Sequence, residues 1–76
     1  MSRLEQVFSH HDAHIYITAF GEPGERVGWD VLVSVQPAGH RPLRRVPVPR
    51  QGHATARAAV DEGLSAACDF LDHGTE

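Results

Sequence analysis

The sequence predicts an α+β fold, a three-stranded antiparallel β-meander packed against one C-terminal α-helix. Three observations carry that prediction. Residues 13–20 and 29–36 alternate apolar and polar side chains with the period of two expected of a half-buried strand. Residues 43–49 form a third extended run, containing Val46 and Val48 and interrupted by Pro47 and Pro49. Residues 54–72 repeat apolar side chains at three-four spacing, the signature of an amphipathic helix.

A chain of 76 residues supports one hydrophobic core and not two, so a single domain spanning 1–76 is expected, with an arm or short helix over 1–12, the sheet over 13–49 and the helix over 54–72. At its N-terminal end, Ser2 and Glu5 stand in the relation of a capping box, followed by Leu4, Val7 and Phe8 at helix-compatible spacing. That pattern predicts a short helical turn over 3–9, with a strand or a frayed arm as the alternatives.

In the first strand, Ile15, Ile17 and Ala19 point one way, and His14, Tyr16, Thr18 and Phe20 the other. Three glycines and a proline between Gly21 and Gly28 mark a hairpin loop. In the second strand Trp29, Val31, Val33 and Val35 share a face opposite Asp30, Leu32, Ser34 and Gln36. The run Pro37-Ala38-Gly39-His40-Arg41-Pro42 is a turn. The prolines of the third strand cannot donate to a ladder, so it is an edge strand or stops pairing early. Arg50-Gln51-Gly52-His53 is a polar linker to the helix.

On the helix, Ala56, Ala59, Val60, Gly63, Leu64, Ala67, Phe70 and Leu71 form the apolar face; Thr55 is the expected N-cap and His73-Gly74 the stop. Gly63 within that face predicts close approach to the sheet, with the helix crossing above the second strand. One helix covers one face of a sheet. Either the Trp29-Val31-Val33-Val35 row or the face with Ile15 and Ile17 is therefore left partly open unless the N-terminal segment or a second subunit covers it, and a homodimer is one way to close the gap.

The single cysteine, Cys68, excludes an intramolecular disulfide and a cysteine-rich zinc site, and suits a reducing compartment such as the cytoplasm. The longest apolar runs fall far short of the roughly 20 residues of a membrane helix. His10, His11 and His14 have metal-ligand spacing only if that stretch is helical. Since His14 begins a strand, they read as exposed polar residues, and neither a metal nor another cofactor is expected. Cys68 beside His73 reads as a small apolar residue on the border of the helix face rather than a nucleophile, and no nucleotide-binding glycine pattern is present. An enzyme is not expected.

Charge is more informative. The net charge of −3 gives no general attraction to nucleic acid, but its distribution runs acidic, basic, acidic, with five arginines and no acid over residues 31–57. Arg41, Arg44, Arg45, Arg50 and Arg57, with His53, converge in sequence on the start of the helix, where free backbone N–H groups and the dipole favour an anion: a phosphate, a nucleic-acid backbone or an acidic protein surface. The plainer reading is a solvated edge whose arginines pair with Asp61, Glu62, Glu22 or Glu25, Arg57 and Asp61 being an i, i+4 pair. Both helix ends oppose the dipole, with Arg57 in the first turn and Asp69 and Asp72 in the last.

His14-Ile15-Tyr16-Ile17, Gly28-Trp29-Asp30-Val31 and the helix from Ala58-Ala59 through Gly63-Leu64 to Phe70-Leu71-Asp72 resemble small stand-alone proteobacterial β-β-β-α domains of unknown function. That resemblance implies a fold and no activity. The order of sheet and helix is also similar to dimeric single-strand-binding coactivator-like domains, from which this chain departs in its acidic net charge and its lack of lysine. The expectation is thus a non-enzymatic protein-interaction module that self-associates, taking a second copy or another protein as partner. The alternative is anion or single-stranded nucleic-acid binding through the arginines.

Overall fold

A computed structural model of the chain describes residues 2–21, 28–39, 41–49 and 51–73. Four strands, β1 (Ser2–His10), β2 (Ala13–Gly21), β3 (Asp30–Gln36) and β4 (Arg44–Val46), precede one helix, α1 (Ala56–His73). The strands form one antiparallel sheet in the order β1-β2-β3-β4. The α+β meander with a C-terminal helix is as expected, with one strand more.

The extra strand corrects the helical turn expected over 3–9. A helix of so few residues is below the length at which nucleation is recovered. As a strand, the same residues pair with β2 in unbroken register from Ser2↔Gly21 to His10↔Ala13. The two strands are joined by His11 and Asp12 alone, both left-handed (φ 51° and 66°), which is the backbone of a type I′ hairpin turn.

In β2 and β3 the alternation is realised as read. Ile15 faces Val35, Ile17 faces Val33 and Ala19 faces Val31 across the ladder, so both apolar rows lie on one face of the sheet, under α1. Neither row is left open, contrary to expectation. The uncovered surfaces are the reverse of the sheet and the helix side of β1. Ile15, Ile17, Val31, Val33 and Val35 are completely buried, and each stabilises the fold by roughly 1.5–3 kcal/mol relative to exposure.

Thr55 caps α1 as its position predicts. Its Oγ1 accepts a hydrogen bond from the Ala58 N–H at 3.0 Å, and its carbonyl accepts one from the Ala59 N–H. The helix crosses β2 and β3 at Gly63, where a β-carbon would come within 2.9 Å of Val33 Cγ2 and 3.1 Å of Val31 Cγ2. Ala59 and Ala67, fully buried on either side of Gly63, keep the rest of the crossing equally close.

β4 pairs over three residues and ends before Pro47, as the prolines require. The segment read as a linker then takes its place beside β3. His53 and Trp29 exchange backbone hydrogen bonds at 2.7 and 3.1 Å. The Gln51 side-chain amide accepts from the Val31 N–H at 2.8 Å and donates to the Val31 carbonyl at 3.0 Å. The Gly52 N–H donates to Asp30 Oδ1. Residues 51–53 thereby pair part of the edge of β3 that β4 leaves exposed.

Candidate interaction surface

The two edges of the sheet differ. At one, β4 is short, flanked by proline and continued by the segment 51–53. At the other, β1 runs for nine residues with no strand beside it among the described residues. A two-residue I′ turn makes His10 and Ala13 a hydrogen-bonded pair, and pairs alternate from there. The N–H and C=O groups of Arg3, Glu5, Val7 and Ser9 therefore point away from the sheet, along the free edge.

α1 lies over β2 and β3, so the helix side of β1 opens into a groove of about 450 Å³. Leu4, Gln6 and Phe8 form one wall and Ala56, Val60 and Leu64 the other, with Arg57 and Asp61 at its border. The reverse of the sheet carries Val7, Tyr16 and Leu32, all exposed, among polar neighbours. Arg3 and Glu5 of β1 pair with each other there at 3.2 Å.

Among the described arginines, Arg44, Arg45 and Arg57 lie on three different surfaces, and of these only Arg57 is in the first turn of α1. Arg44 lies opposite Val35 on the helix side of β4, its guanidinium 5.6 Å from the Phe70 ring near the end of α1. Arg45 lies opposite Ser34 and so on the reverse of the sheet. Arg57 borders the groove on the β1 side, and among the described residues it forms no ion pair with Asp61. Arg41 is exposed beyond the β3–β4 turn, its carbonyl near Gln36 Nε2 at 3.4 Å. His53 is tied to Trp29 through its backbone, and Arg50 lies outside the described residues.

The histidines are rearranged too. His14 faces away from α1, whereas His10 and His11 meet Asp72 from the last turn of the helix, a carboxylate that spacing in the sequence does not reveal. His10 Nε2 donates to Asp72 Oδ1 at 3.0 Å, and His11 Nε2 lies 3.5 Å from the same oxygen. The His10 hydrogen bond, aided by the charges of His10, His11 and His73, holds the Asp72 carboxyl below its ordinary pKa. Cys68, half-buried, has its thiol pushed up by burial and further by Asp72 and Asp69. No helix among the described residues is long and apolar enough to cross a membrane.

Compared with protein-family models, curated proteins and solved structures, the chain has no significant match.

Proposed function

We propose that this domain is a non-enzymatic interaction module that associates with a second copy of itself through β1. The observation that carries the reading is the contrast between a blocked β4 edge and a nine-residue β1 edge, unpaired among the described residues and backed by an apolar groove. Long free edges template strand addition, and proteins that stay monomeric interrupt them.

The edge is self-complementary. With a two-fold axis at Gln6, β1 pairs antiparallel with its copy over its full length. Leu4 of each copy then stands opposite Phe8 of the other, on the side where both flank the groove. The pairing joins two four-stranded sheets into one of eight and sets Leu4 and Phe8 of the two copies side by side on the helix side of the sheet. Cys68, its thiol pushed up by burial and by Asp72 and Asp69, is a poor nucleophile at neutral pH.

Anion or nucleic-acid binding rests on arginines acting as one patch, and the dispersal of Arg44, Arg45 and Arg57 over three surfaces weakens it. Solution mass by light scattering at low and high salt, with and without a single-stranded oligonucleotide, separates the two. A dimer indifferent to salt and to the oligonucleotide is the expected result. A monomer that gains mass only with the oligonucleotide at low salt overturns the proposal in favour of the arginines.

A further inference from the structure

Consecutive residues of a strand send their side chains to opposite faces, so two adjacent histidines do not ordinarily reach one partner. His10 and His11 do so because His11 leaves the strand in the left-handed region, at φ 51°. Their rings stand 4.2 Å apart, and both approach the same oxygen of Asp72.

Three donor atoms, two imidazole nitrogens and a carboxylate oxygen, lie within 4.8 Å of one another. Around a tetrahedral ion with ligand bonds of about 2.0–2.1 Å, adjacent donors stand about 3.3 Å apart. The two nitrogen-to-oxygen distances, 3.0 and 3.5 Å, bracket that value. Asp69 and Asp72 also place negative charge at the end of α1 where the dipole is already negative, with only His73 as a basic residue in the last turn. A cation held by Asp72 relieves this opposition.

From this geometry we infer that His10, His11 and Asp72 form a binding site for a divalent transition-metal ion of the zinc class, with the remaining coordination open to water. Two imidazoles and one carboxylate suit such ions rather than magnesium or calcium, which take oxygen ligands. His11 is 76% exposed, so the ion is reached from solvent. Bound there, it ties the β1–β2 turn to the C-terminal end of α1.

The test is titration of the chelator-treated full chain with Zn²⁺, read by calorimetry and by melting temperature. One equivalent is expected to bind, and a hundredfold excess over Kd is expected to raise the melting temperature by about 10 °C or more. His11→Asn removes one ligand while keeping a residue that tolerates the left-handed backbone. It is expected to melt like the unaltered chain in chelator and to lose affinity by about tenfold or more. His14→Gln is expected to bind as the unaltered chain does. No zinc uptake, undiminished affinity in His11→Asn, or loss of binding in His14→Gln would overturn the assignment.

Discussion

A β-carbon on Gly63 would come within 2.9 Å of the Cγ2 methyl of Val33, so α1 and β3 meet at a distance that glycine permits and alanine does not. The methyl belongs to a fully buried, β-branched side chain with little freedom to turn aside. Gly63→Ala gains about 1 kcal/mol of helix propensity and incurs roughly 1–3 kcal/mol of overpacking. A net loss of about 1 kcal/mol in urea unfolding is expected, recovered in part when Val33→Ala is added. A stabilised Gly63→Ala protein would show that the helix stands further from the sheet.

Gln51 acts as one residue of a strand through its side chain, satisfying both backbone groups of Val31. Gln51→Ala leaves a part-buried donor and acceptor unpaired and is expected to cost about 1–2 kcal/mol in the same assay. Gln51→Glu keeps the acceptor but turns a carboxylate oxygen toward the Val31 carbonyl, so it is not expected to rescue. Stability within experimental error of the unaltered chain would mean that water replaces the amide without loss.

Cys68 titrates above its ordinary value of 9.0, chiefly because burial disfavours the thiolate. Alkylation at neutral pH is therefore expected to be slower than that of a free thiol. The sign for stability follows from the same shift. The protonated thiol's contribution is fully present below the ordinary value and is lost as pH rises through the higher folded value. Cys68→Ser is expected to remove that part of the alkaline loss, and rapid alkylation at pH 7 would contradict the assignment.

Much of this fold was legible. Alternation in 13–20 and 29–36 reads directly because both strands bury one whole row, and Gly63 within an apolar helix face announced the close crossing. β1 was not legible for a physical reason. Its groove-facing row, Leu4, Gln6 and Phe8, is interrupted by glutamine, and the apolar Val7 lies on the opposite, exposed side, so Leu4, Val7 and Phe8 mimic helical spacing. His11-Asp12 is also a rare pair for a turn in which asparagine-glycine is usual. Asp72 lies 62 residues from His10, beyond the reach of any local pattern. The arginines illustrate the converse, since neighbours in sequence on β4 are sent to opposite faces of the sheet.

The measurement closest to the central claim is the solution mass of the unaltered chain beside that of Val7→Pro. The Val7 N–H points outward from β1, so proline there removes a donor from the free edge and none from the β1–β2 ladder. The account predicts a dimer for the unaltered chain and a folded monomer, with the same circular dichroism, for Val7→Pro. A folded Val7→Pro protein that remains a dimer would contradict association through β1, and a monomeric unaltered chain would contradict self-association itself.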